Sequence, residues 1–241
     1  MRIPRIYIPQ SLSMGLTIEL DDKASNHLLR VLRLRPGAFV RIFNGKNTEF
    51  LAELQSAGKS AELVLTKSVE TETESPLRIH LGQGISRGEK MDYTLQKAVE
   101  LGVDSITPLF TEFTEVKLDA ERLEKRMQHW QAIIIHACEQ CGRSVLPELR
   151  LPQKLVNWLP RCDQSLKLMM HPENGNALSS FSCPELQLAL LIGPEGGFAD
   201  VEVSLAQRHG FVAWQFGPRI LRTETAALAA IAALQSRWGD M

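Results

Sequence analysis

Three stretches of this chain combine bare backbone with charged or aromatic side chains directly after apolar runs. They are Met170-His171-Pro172-Glu173, Ile192-Gly193-Pro194-Glu195-Gly196-Gly197-Phe198, and Phe216-Gly217-Pro218-Arg219-Ile220-Leu221-Arg222-Thr223-Glu224. Where a strand hands over to a helix, glycine leaves N–H and C=O groups open to a ligand. Loops leaving the carboxyl ends of parallel strands share one edge of the sheet, so the three stretches predict a single pocket there. Such a lining suits an adenine edge or a ribose better than a metal ion. Gly82-Gln83-Gly84 with Gly88 does not keep the Gly-x-Gly-x-x-Gly spacing of a dinucleotide site, and the loop at Gly193 lacks the Gly-Lys-Ser/Thr of a phosphate loop. A Rossmann cofactor and a nucleoside triphosphate are therefore weakly supported. No His-x-x-x-His pair exists and no Ser-His-Asp nucleophile elbow of the Gly-x-Ser-x-Gly type is read from the chain, so metalloprotease and hydrolase chemistry are expected to fall away.

Charged candidates lie at two places. Arg222 and Glu224, a cation and a carboxylate, sit in the loop beside the expected pocket. A long amphipathic helix ends in Glu139-Gln140-Cys141-Gly142-Arg143, whose polar groups are either solvated or shape a polar site. Cys138 and Cys141 form a lone Cys-x-x-Cys; with Cys162 and Cys183 they are too few for a disulfide framework and lack the second ligand pair that zinc requires. No metal is expected.

The elements that must position these groups change character along the chain. Residues 1–68 read as short strands at 5–8, 40–43, 49–54 and 61–65, with Asn44-Gly45 as a turn, which suggests a small β-barrel. One helix interrupts it, opening near Asp21 or Asp22 and stopping before Pro36-Gly37. His27, Arg30 and Arg33 recur on it at three-residue spacing, forming either a solvated face or one that meets phosphates. Net charge is −1, yet residues 1–46 hold eight basic side chains (Arg2, Arg5, Lys23, Arg30, Arg33, Arg35, Arg41, Lys46) against three acidic ones. A basic end of this kind could face a polyanion. The polar stretch 69–76 marks a linker, giving domains at 1–70 and 76–241.

Beyond the linker, apolar runs at 79–81, 106–110, 166–170, 186–192 and 212–216 alternate with helical patterns at 90–101, 120–141, 199–209 and 223–238, which predicts an α/β domain with a mostly parallel sheet. The last helix is apolar nearly all round, so it packs inside its own domain or, the favoured reading, against a twin subunit. With 44% hydrophobic and 23% charged residues the chain is neither disordered nor fibrous, and no apolar run approaches the roughly 20 residues that span a bilayer. No secretory signal is visible, so the cytoplasm is expected.

Taken together, His27-x-x-x-Val31-Leu-Arg33, Lys90 followed by Lys97-Ala-Val-Glu-Leu-Gly-Val103, Glu139-Gln-Cys-Gly-Arg143, Ile192-Gly-Pro-Glu-Gly-Gly-Phe198 and Leu221-Arg-Thr-Glu-Thr-Ala226 resemble the RsmE family, the rRNA uracil-N3 methyltransferases of the SPOUT class. The resemblance runs in family order over essentially the whole chain. It implies an N-terminal PUA-like β-barrel that helps hold RNA, a C-terminal SPOUT α/β domain with a deep trefoil knot, a homodimer, and 16S rRNA of the small ribosomal subunit as substrate. It implies S-adenosyl-L-methionine in the pocket, with His171, Pro172, Ile192, Gly193, Pro194, Gly197, Phe216, Gly217, Ile220, Leu221 and Ala226 as contacts. Arg2, Arg5, His27, Arg30 and Arg33 are the expected RNA contacts. Methylation at N3 needs a weakly acidic proton removed. Glu224 is the expected acceptor, with Arg222 steadying charge on the base; Glu139 and Arg143 are the rival pair. Competing readings are a non-catalytic RNA-binding assembly factor and a SPOUT enzyme for another RNA site.

Overall fold

The computed structural model describes residues 3–58, 60–116, 119–173, 175–183 and 185–241. The chain divides into two compact units, Met1–Glu74 with Cys138–Leu146, and Ser75–Ala137 with Pro147–Met241.

The first unit carries strands β1 (Arg5–Tyr7) and β2 (Thr17–Glu19), helix α1 (Asp22–Asn26), and strands β3 (Phe39–Phe43), β4 (Glu49–Ala57) and β5 (Ala61–Val69). Its sheet runs in the order β1-β3-β4-β5-β2, with β1 parallel to β3 and the other pairs antiparallel. Alternation on β3 sends Val40 and Ile42 inward to meet Leu28, Leu54, Leu63 and Leu65. Register shifts at Leu51/Ala52 and Leu54/Ser56 add twist and curl the sheet around this core.

The helix of this unit is shorter than the sequence suggests. Asp21 caps α1 by accepting from the Ala24 N–H at 2.7 Å, after which His27–Val31 widen into a π-helical turn. Leu28 is fully buried, its carbonyl accepts from the Leu34 N–H, and Arg33 turns the chain at φ +55°. Arg33 therefore lies beyond the helix, and no single three-residue face joins it to His27 and Arg30.

The boundary at 76 also misplaces one segment. Cys138–Leu146 folds with the first unit: Arg5 donates to the carbonyls of Cys138 and Arg143, and Glu74 is ion-paired to Arg143 at 2.6 Å.

The second unit holds β6 (Arg78–Gly84), α2 (Glu89–Glu100), β7 (Ser105–Phe110), most of α3 (Ala120–Cys141), β8 (Glu148–Leu149), β9 (Gln153–Lys154), α4 (Leu155–Trp158), β10 (Leu166–Met170), β11 (Gln187–Ile192), α5 (Asp200–Arg208), β12 (Val212–Trp214) and α6 (Thr223–Trp238). Its strands are all parallel, in the order β12-β10-β11-β6-β7-β8, with β9 also on β7. Leu188–Ile192 of β11 are all buried, as a strand covered on both faces requires. Helix α6 turns Ala227, Ala230, Ile231 and Leu234 into the core and packs on α2. Gln235 secures it, donating to the Leu101 carbonyl at 3.0 Å and accepting from Ser75 at 2.7 Å.

Candidate active site

The carboxyl ends of β10 and β11 and the segment after β12 deliver Met170–Pro172, Ile192–Phe198 and Phe216–Thr223 to one edge of the parallel sheet. With Lys90 and Ala226 they line one cavity of about 450 Å³. Small-molecule sites run from roughly 300 to 1,000 Å³.

Backbone approach makes the cavity. A Cβ on Gly84, at the end of β6, would stand 2.5 Å from the Pro194 nitrogen and 2.8 Å from the Gly193 carbonyl carbon. Only a residue without a side chain lets β6 meet that loop. Gly197 and Gly217, both on the cavity wall, take left-handed φ values of +72° and +71° that side chains resist. The loops are fixed from below by Thr223, whose Oγ1 donates to the Gly193 carbonyl and accepts from Gln83 Nε2 at 2.9 Å. His171 is held by its own N–H to the Trp214 carbonyl at 3.1 Å, and its ring Nδ1 lies 2.8 Å from the Glu173 carbonyl and 3.3 Å from the Glu173 nitrogen.

Charge is unevenly spent around the opening. Lys90 Nζ lies 3.1 Å from Glu195 Oε1, which also accepts from the Arg87 N–H, and Arg87 is ion-paired to Glu115. Burial raises the Glu195 carboxyl, but the hydrogen bonds from backbone N–H groups and from Lys90 outweigh it and hold the group below its ordinary value. Arg219 and Arg222 also line the cavity; both are exposed, and no ion pair holds either among the described residues.

The structure thus gathers His171, Pro172, Ile192, Gly193, Pro194, Gly197, Phe216, Gly217, Ile220, Leu221, Ala226 and Arg222 on one cavity. Glu224 does not line it. It lies half-buried in the first turn of α6, its Oε2 buried without a hydrogen-bond partner among the described residues. Glu139 and Arg143 belong to the first unit instead: Glu139 Oε1 accepts from the Tyr7 N–H at 3.1 Å, and the Arg143 side chain is 6% exposed beside Glu74. Lys90, Glu195, Thr223 and Gln83 are named within motifs of the sequence reading, which assigns none of them to the site. Their signal was available for the first three, which sit in or directly after turns at the same sheet edge.

A nucleophile-elbow spacing also escaped that reading, since Gly84-Ile85-Ser86-Arg87-Gly88 runs from β6 into α2. Ser86 is 3% exposed and its Oγ has no hydrogen-bond partner among the described residues, so no base activates it. The four cysteines are free thiols, and burial pushes Cys138 up to about 12. Among the described residues no cluster of three or more His, Cys, Asp or Glu could hold a metal, and no helix is long and apolar enough to cross a membrane.

Of the expected RNA contacts, Arg2 lies outside the described residues. Arg5 is committed to structure: its side chain is 5% exposed, 2.7 Å from the fully buried Glu49 carboxylate and stacked over Phe43 at 4.5 Å. His27, Arg30 and Arg33 are exposed.

Residues 73–235 match the family model of an RNA methyltransferase domain, and residues 20–66 that of an RNA methyltransferase PUA domain. The chain is 40% identical over its full length to Ribosomal RNA small subunit methyltransferase E of Buchnera aphidicola subsp. Schizaphis graminum, covering 98% of that protein. It is 28% identical to the enzyme of the same name from Bacillus subtilis over 93% of this chain and 92% of the relative. Its fold matches Ribosomal RNA small subunit methyltransferase E from Neisseria gonorrhoeae, crystallised with S-adenosyl methionine, at a TM-score of 0.94 and 41% identity over 100% of both chains. A Legionella pneumophila protein solved with bound SAM superposes at 0.96 with 44% identity, again over 100% of both chains. The second unit is thus an RNA methyltransferase domain. The chain belongs to the ribosomal RNA small subunit methyltransferase E family.

Proposed function

We propose that this chain is an S-adenosyl-L-methionine-dependent methyltransferase acting on N3 of a uridine in 16S rRNA of the small ribosomal subunit. The observation that carries this reading is the single cavity lined by three loops whose glycines leave backbone groups bare, in a chain whose relatives are solved with that cofactor. The cavity fits the group: its volume suits a small molecule, Gly197 and Gly217 expose backbone, and Met170, Ile192, Phe216, Leu221 and Ala226 supply apolar wall. Ile192, Gly193, Gly197, Gly217 and Leu221 would hold it by their backbone. When bound, the cofactor supplies an electrophilic sulfonium methyl.

The chain's own residues deal with charge. Loss of the N3 proton leaves negative charge on the uracil oxygens, which Arg222, on the cavity and without an ion pair among the described residues, would steady. Glu224 is the proposed proton acceptor through water, on the strength of its unpartnered Oε2 two residues from Arg222. The exposed His27, Arg30 and Arg33 of the first unit, read as a PUA-like barrel, serve RNA phosphates. A trefoil knot in the second unit, a homodimer and a cytoplasmic setting complete the reading; the apolar face of α6, favoured from sequence as a subunit contact, packs inside its own domain instead.

The test is transfer of labelled methyl to small subunits from cells lacking the gene, followed by nucleoside analysis. Appearance of 3-methyluridine is the expected result. A subunit that binds the protein but takes up no label would overturn the proposal in favour of an assembly factor.

A further inference from the structure

Among the described residues, Ile220 is the most exposed of the large apolar side chains, at 86%, although it stands on the cavity wall. A lone exposed isoleucine is ordinary on a protein surface; this one is set apart by standing on the wall of the cavity, where whatever reaches the cavity must pass it. Its chain neighbour Arg219 is exposed, lines the same cavity and has no ion pair among the described residues. An apolar tip beside an unpaired guanidinium complements one chemistry in particular, a nucleobase face joined to a phosphate.

We propose that Ile220 is a wedge that parts the target base from its neighbour in an RNA strand, while Arg219 holds an adjoining phosphate. This rests on the methyl-transfer reading above. A base within a stack cannot present its reacting nitrogen to a cavity, and proteins that unstack bases insert apolar side chains between steps. The wedge needs a stiff mount, and the loop has one. Gly217 turns the chain at φ +71°, Leu221 is half-buried, and Thr223 ties the next turn to Gly193 and Gln83.

The experiment compares wild type, Ile220→Ala, Ile220→Met and Arg219→Ala on unmethylated small subunits, with S-adenosylmethionine affinity and solution mass measured on each. Ile220 also lines the cofactor cavity, so Ile220→Ala should weaken cofactor binding a few fold but lower kcat about tenfold, and Ile220→Met should recover most of the loss. The defect should shrink on a short RNA in which the target uridine is already unstacked, a rescue that a merely structural role would not show. Arg219→Ala should raise KM and reduce the salt dependence of binding by about one charge. Wild-type turnover in Ile220→Ala, or loss of cofactor affinity in step with kcat, overturns the wedge. A changed solution mass also overturns it, because the side chain then covers a second copy. Should wild type itself transfer no methyl to any subunit, the reaction assignment falls and the wedge with it. Full activity in both wild type and Ile220→Ala removes the wedge alone.

Discussion

Thr223 Oγ1 donates a 2.6 Å hydrogen bond to the carbonyl of Gly193, 30 residues earlier in the chain. The same hydroxyl accepts from Gln83, so one side chain joins β6, the glycine loop after β11 and the start of α6. Thr223→Val keeps the shape but removes the hydroxyl, leaving the buried Gln83 amide short of a partner. A cost of about 1–3 kcal/mol is expected, seen as a fall of several degrees in Tm, together with weaker cofactor binding by calorimetry. Thr223→Ser should restore both.

Gly84→Ala places a methyl against the backbone of Pro194, which has no flexible end to swing aside. Overpacking of this kind costs about 1–3 kcal/mol. Its sharper effect should be functional: the Gly193–Pro194 turn is pushed toward the cavity, and a titration with S-adenosylmethionine should show affinity falling more than stability does.

His80 sits in β6 at 5% exposure, with Nε2 2.8 Å from Thr107 Oγ1. Burial, reinforced by Arg150, lowers its pKa from 6.5 to about 4. The folded state therefore keeps the ring neutral where the unfolded chain would protonate it. Stability is full above about pH 6.5 and is lost as pH falls from there toward 4, by about 3 kcal/mol in total. Denaturant midpoints across that window should slope upward with pH, and His80→Gln should flatten the slope. An unchanged slope in the variant would show that other groups cause it.

Arg5 and Arg30, both basic residues of the first unit, should fail differently. Removing Arg5 leaves the fully buried Glu49 carboxylate with only its longer pairing to Arg41 at 3.3 Å, and breaking a buried pair costs up to about 3–5 kcal/mol. Arg5→Ala should melt the first unit early. Arg30→Ala, at an exposed position, should leave the melt alone and lower the salt slope of RNA binding by about one. Calorimetry and binding at three salt concentrations separate the two.

The second unit is the more legible part of the sequence, because parallel strands buried on both faces leave unbroken apolar runs such as Leu188–Ile192, and glycine marks where they end. Shorter pieces carry too little pattern. Strand β2 has three residues with one buried, and β8 and β9 have two each. The lining of the cavity was readable wherever it followed from a sheet edge. It was not readable where one charge chooses another across the chain: nothing in the periodicity of α3 says that Glu139 will meet Tyr7, 132 residues away, or that Arg5 will be spent on Glu49 rather than on a phosphate.

The first unit's borrowed piece, Cys138–Leu146, sets an order of events during synthesis. Glu74 emerges from the ribosome long before its partner Arg143, and Gly45 before the Leu146 side chain that lies 2.9 Å from where its Cβ would stand. Roughly seventy further residues must be added, on the order of ten seconds at about 5–20 residues per second, before this N-terminal unit has all its parts. Translation therefore delivers the beginning of the chain first yet completes its N-terminal unit only after β6, α2, β7 and α3 have been made.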